Sequence, residues 1–169
     1  SEQEKGLKYV DWVVNNSSNT QLQRESAYER ASYYSRKNQW PNAEKHWTEF
    51  VKNKKWTGTF SAEAWYRLGE SMEKNNKSSQ ALSPYTNLLA KYASRIEYSI
   101  PAVASSASIQ KKLGKNAEAY KLAHRSGLEF ANYLNDRRFS QEVAKLKSIY
   151  YEFSDEHGDE KDVNPYPTD

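Results

Sequence analysis

The side chains that could do chemistry are few and scattered. His46 stands beside Trp47, His124 beside Ala123, and His157 among carboxylates near the end of the chain. General acid–base work needs a histidine converging with other polar groups, and a helical zinc site needs two histidines one turn apart. No two of the three have that spacing, and no serine sits in the glycine-flanked elbow of a hydrolase. The six glycines, Gly6, Gly58, Gly69, Gly114, Gly127 and Gly158, form no phosphate-binding loop. The absence of cysteine excludes thiolate nucleophiles, disulfides and cysteine-bound zinc together. No catalytic residue, cofactor or metal is expected, and the chain is read as not an enzyme.

Two charged stretches remain. From Asp155 to Asp169 there are six carboxylates and one lysine, a net −5 that leaves the preceding body at +8 against +3 for the whole chain. Asp155, Glu156, Asp159, Glu160 and Asp162 lack the ordered spacing of a calcium loop, so this end is expected to be a solvated, disordered tail. The second stretch, Lys52-Asn53-Lys54-Lys55-Trp56, sets cations beside an aromatic expected to be exposed. Single-stranded nucleic acids are gripped by such combinations, so RNA binding through the basic surface is the alternative to a protein partner.

The elements that would position these residues follow from the bulk sequence. At 169 residues one domain is the default. Thirteen tyrosines, five tryptophans and five phenylalanines supply a core despite a hydrophobic fraction of 37%. The longest apolar run, Ile100 to Ala104, is far short of the roughly 20 residues of a membrane span. A cysteine-free chain suits either redox environment, with the bacterial envelope or periplasm favoured over the cytoplasm. An opening Ser1 in place of Met points to processing or to a piece of a longer protein.

A fixed repeat organises the chain. Ala31, Gly69 and Ala107 lie 38 apart, as do Ala43, Ala81 and Ala119, and Trp47, Tyr85 and Ala123. The first series falls on helix A of each unit and the other two fall one turn apart on helix B, so each unit is a helix hairpin. Small residues let backbones approach and the bulky ones fill the space beside them. Asn75-Asn76 and Gly114-Lys115-Asn116 mark turns inside hairpins, Ser61 reads as an N-cap, and Pro41 and Pro101 fit first turns of helices. Leu7, Val10, Val13 and Val14 predict a helix before the repeats. Phe139, Val143, Leu146, Ile149, Tyr150 and Phe153 predict a capping helix after them.

The middle unit, with Trp65, Leu68, Gly69 and Met72 followed by Ala81 and Tyr85, resembles the tetratricopeptide signature W-x2-L-G-x2-Y with its following A-x3-F. Ala27, Arg30, Ala31, Tyr34, Ala43 and Trp47 match it in the first unit, and Val103, Ser106, Ala107, Gln110, Ala119 and Ala123 in the third. The period exceeds the family's roughly 34 residues, and Asn53 to Phe60 is expected to project as the extra loop. The resemblance implies an all-α, right-handed solenoid of about three hairpins. They span 21–135, at about 24–61, 62–99 and 100–137. Before them come an N-terminal helix and linker at 1–20, and after them a capping helix at 139–154 and the acidic tail at 155–169.

The resemblance further implies a concave groove lined by helix A positions. They are Glu25, Tyr28, Ser32 and Arg36, then Glu63, Tyr66, Glu70 and Glu73, then Ser108, Lys111 and Lys112. The expected function is a non-catalytic scaffold that binds a peptide or partner protein there, as an assembly factor of the bacterial envelope. Of these residues Tyr28, Ser32, Arg36, Tyr66, Glu70, Glu73, Ser108, Lys111 and Lys112 are the expected partner contacts. Trp65 is expected to be buried. The sequence does not fix an oligomeric state.

Overall fold

The computed structural model describes residues 1–167, and the last two residues of the expected tail lie outside them. Eight α-helices occur among the described residues, with no strand: α1 (Glu2–Asn16), α2 (Thr20–Arg36), α3 (Trp40–Lys52), α4 (Ser61–Lys74), α5 (Ser78–Lys91), α6 (Ile96–Lys112), α7 (Asn116–Glu129) and α8 (Ser140–His157). The chain divides within α5 into two compact units, Ser1–Pro84 and Tyr85–Asp169. In the first, α1 packs on α2, α2 on α3 and α3 on α4. In the second, α7 packs on both α6 and α8. This is the all-helical repeat architecture expected from the 38-residue spacing. All five tryptophans belong to the first unit.

The repeat is written into the backbone as well as the side chains. Asn38, Asn76 and Gly114, 38 residues apart, each hold a positive φ, of 55°, 60° and 75°. At each, the following amide bonds the carbonyl five residues back: Gln39 to Tyr34 at 2.9 Å, Lys77 to Met72 at 2.8 Å and Lys115 to Gln110 at 2.9 Å. Each left-handed residue itself donates to the carbonyl three back, at Ser35, Glu73 and Lys111. These paired bonds satisfy helix-end carbonyls in the Schellman manner, and asparagine and glycine are the residues that adopt the left-handed cap most cheaply. The helix that follows starts at Trp40, Ser78 and Asn116, again 38 apart.

Some local expectations need correction. Pro41 does sit in the first turn of α3. Pro101, however, lies inside α6, because that helix begins five residues earlier at Ile96. Ser61 is the first residue of α4 and Phe60 is the cap; the Ser61 hydroxyl instead accepts a 2.8 Å hydrogen bond from the amide of Gly58 and so holds the loop before it. That loop does not project. Its residues Lys54–Trp56 form a 3₁₀ turn that buries Trp56 against Phe50, with ring centroids 5.7 Å apart.

The small positions of the repeat are fully enclosed. Ala31, Ala107, Ala43, Ala81 and Ala119 have no exposed surface. Trp47 is equally enclosed, its ring edge-on to Tyr28 at 5.8 Å and its indole N–H donating to the Ser35 hydroxyl at 2.9 Å. Trp65 is only half-buried at the margin of that core, so Trp47 and not Trp65 is the anchoring tryptophan.

The second unit is closed differently. The expected disordered tail begins at Asp155, yet α8 continues to His157 and the chain after it returns across α7 and α8. The Tyr120 hydroxyl donates to Asp162 at 2.8 Å and the Tyr166 hydroxyl donates to the Ala123 carbonyl at 2.6 Å. The Tyr151 hydroxyl donates to the Tyr166 carbonyl. Tyr166 is buried, and Gly127 is where it gains entry: a methyl group there would come within 2.6–2.7 Å of Pro165 and Tyr166. The composition of the tail is that of a disordered segment, but one tyrosine with a matching slot outweighs it.

Candidate functional site

In the first unit α2 and α4 enclose a cleft of about 390 Å³. One wall is the Tyr28 ring, stacked on Phe60 at 4.2 Å, its hydroxyl donating to Glu63 at 2.8 Å. Trp40 is another wall, with the Lys74 ammonium 5.8 Å from its ring centroid. At the bottom lie Ser35, which accepts the Trp47 indole N–H, and Ser32, whose buried hydroxyl has no hydrogen-bond partner. A buried hydroxyl left unpaired costs about 1–3 kcal/mol, which an arriving polar group would relieve.

The rim is charged but balanced. Arg67 lies 3.1 Å from Glu70 and 3.7 Å from Glu63. Burial alone would lower the pKa of its guanidinium, but the two flanking carboxylates hold it above the ordinary arginine value. Arg36 stands more openly at the mouth, 3.9 Å from Glu29. Two cations and two carboxylates therefore face a cleft with aromatic walls and hydroxyls at its base. Such a surface suits the mixed polar and apolar face of a polypeptide better than a single strong charge.

The structure thus gathers Tyr28, Ser32, Arg36 and Glu70 around one cleft. Tyr66 and Glu73 are half-buried on α4 outside its lining, with the Arg67 guanidinium over the Tyr66 ring at 5.4 Å. In the second unit Ser108 is half-buried on α6 and Lys112 is exposed, while Lys111 pairs with Glu152 of α8 and lies 5.9 Å from the Phe153 ring. Ser35, Trp40 and Arg67 were missed. The helical offset from Tyr28 and Ser32 points to Ser35, and the flanking Glu63 and Glu70 at ion-pair spacing point to Arg67.

A larger cleft, about 840 Å³, opens beside α1 and α3, and Asp11, Arg30, Tyr34, His46, Glu49 and Trp56 are among its lining residues. Arg30, in the register position of Leu68, is buried and bonds Asp11 at 2.9 Å and Glu49 at 3.2 Å. Burial first, and then the nearby Arg30, hold the His46 pKa below its ordinary value, with Tyr34 stacked on the imidazole at 5.1 Å. His124 is likewise structural, stacked on Tyr120 and bonded to the Val163 carbonyl at 2.9 Å. With Trp56 buried, the basic loop presents lysines without the expected stacking surface for a nucleic-acid base.

Residues 63–94 match the family model described as tetratricopeptide repeat. The matched stretch covers most of α4 and all of α5, and α3 and α7 begin 38 residues before and after α5. Repeats of this type act as scaffolds for protein–protein interaction. Comparison with curated proteins and with solved structures returns no match. No helix among the described residues is long and apolar enough to cross a membrane.

Proposed function

We propose that the chain is a non-catalytic scaffold that holds a segment of a partner protein in the cleft between α2 and α4, with Tyr28, Ser32, Arg36 and Glu70 as contacts. The observation that carries this reading is the buried, unpartnered Ser32 hydroxyl below aromatic walls and a charge-balanced rim. An extended or helical peptide brings backbone carbonyls for the hydroxyls, apolar side chains for Tyr28 and Trp40, and polar groups for Arg36 and Glu70. Tyr66 and Glu73 extend this surface along α4, and Ser108, Lys111 and Lys112 form a contact surface of their own on α6, where Lys111 must first leave Glu152. The cysteine-free sequence suits an assembly factor of the bacterial envelope.

Affinity capture with the full chain tests the cleft. Arg36→Glu and Glu70→Lys should each weaken capture of the native partner by about tenfold or more, in line with losses at interface hot spots. Lys145→Glu, an exposed change on α8, should leave capture intact. Equal capture by all three variants and the unaltered chain would remove the assignment of the cleft.

A further inference from the structure

The 38-residue register reaches back into α1. Glu2, where α1 starts, lies 38 residues before Trp40, where α3 starts. On that register Tyr9 corresponds to Trp47 and Tyr85, Trp12 to Phe50 and Leu88, and Val13 to Val51 and Leu89. α1 is therefore the B helix of a hairpin, and it packs on α2 as α3 packs on α4. Its side toward α2 is packed, with Val13 only 1% exposed and Leu7 and Val10 part-buried. Its other side is open. Tyr9 is 64% and Trp12 60% exposed, whereas Trp47, Tyr85, Phe50 and Leu88 are all at 2% or less.

On α3 the equivalent face is covered by the A helix of its own hairpin, for Trp47 meets Tyr28 and Ser35 of α2. From this continuity with an interface already present in the chain, we infer that the Tyr9–Trp12 face of α1 is a docking site for an amphipathic helix that pairs with α1 as α2 pairs with α3. The register also specifies the visitor. Small residues must cross the two aromatic rings to let the helices approach, as Ala31 does beside Ala43. Lys5 stands where Ala43, Ala81 and Ala119 stand and is exposed, 3.8 Å from Glu2 of its own helix, so a carboxylate in the visiting stripe meets it by displacing Glu2. Two ring faces side by side exceed the scattered single apolar groups of an ordinary surface.

A covalent stand-in tests the site. A copy of residues 20–38, the A helix and turn that precede α3, is fused directly ahead of Ser1, which restores the 38-residue register. It is made in the full chain and in its Lys5→Ala form. In both, amide exchange across 7–15 should slow by about tenfold or more and Tm should rise, more in the Lys5→Ala form. Tyr9→Ala with Trp12→Ala should abolish that gain while leaving the unfused chain's Tm nearly unchanged, since both rings are exposed. No slowing in either fusion overturns the site, and slowing in Lys5→Ala alone overturns it for the native face. Sedimentation of the unfused chain is the remaining arm. A concentration-dependent dimer that Trp12→Ala dissolves would make a second copy the occupant and overturn the assignment to a partner helix.

Discussion

The first and second units meet the same structural demand with different material. In the first, helix B supplies its own plug: Trp47 fills the space between α2 and α3 and is fixed by Tyr28 and the Ser35 hydroxyl. In the second, the register position of Trp47 is Ala123 and that of Val51 is Gly127, so α7 offers a slot where α3 offers bulk. Pro165 and Tyr166 occupy it from the chain's far end. A repeat thus tolerates loss of its large residue when another segment can return to the same backbone. The cost is that a local contact becomes a distant one, whose loop closure must be offset by the contacts it makes.

The comparison is broken most severely at Trp47. Trp47→Ala should cost about 3–5 kcal/mol and lower Tm on the order of 10 °C, while Trp65→Ala, removing a half-buried ring, should cost clearly less. Thermal melts of the two variants decide the order, and a larger loss at Trp65 would reverse the assignment of the anchoring ring.

The next effect belongs to the tail. Tyr166→Ala should destabilise the second unit by about 2–3 kcal/mol, and Gly127→Ala by about 1–3 kcal/mol because its new methyl group overlaps the plug. Hydrogen exchange distinguishes these from general damage: amides at 162–166 should lose protection in both variants while those of α2 and α3 keep theirs.

A smaller, threefold effect sharpens what the two units share. Gly114→Ala should cost about 1–2 kcal/mol by forcing an alanine into the left-handed region, and Asn38→Ala or Asn76→Ala about 0.5–1 kcal/mol, as read from urea unfolding. Glycine at Asn38 or Asn76 should be neutral or better.

The mildest test uses pH. Backbone hydrogen bonding at Asp159, and then the Tyr120 hydroxyl, hold the Asp162 carboxyl below its ordinary pKa. A carboxyl depressed on folding stabilises the docked tail above the ordinary carboxylate pKa of about 3.9, and that contribution fades as pH falls through the lowered value. Tail protection should therefore weaken below about pH 4, and Asp162→Asn should flatten this dependence. Burial, and then Asp162, push the Tyr120 phenol above its ordinary range, so Tyr120 remains a donor throughout.

The period was legible because close helix contact tolerates only small residues, and Ala31, Gly69, Ala107 and Ala43, Ala81, Ala119 stand at those contacts. The hairpin turns were legible for the same kind of reason, since a left-handed backbone selects asparagine or glycine. The plug was not. Tyr166 lies 43 residues from the carbonyl it bonds, in a segment whose composition reads as solvated, and the only local sign was bulk missing at Ala123 and Gly127. Part of the candidate cleft could be read from helical offsets, which place Tyr28, Ser32 and Arg36 together. The pairing of Tyr28 with Glu63 and the orphaned Ser32 hydroxyl depend on how α4 leans on α2. No spacing along one helix carries that. Arg30 misled in another way: it matches a leucine position in the repeat, yet Asp11 and Glu49, each 19 residues away, neutralise it.

The placement of the tryptophans has an optical consequence. Since all five belong to Ser1–Pro84, indole emission watches one unit alone, while the second is visible only through its tyrosines. Unfolding followed at the two wavelengths is therefore a built-in test of cooperativity, with no label added. Coincident curves would mean that the units melt as one, and separated curves would give each its own stability.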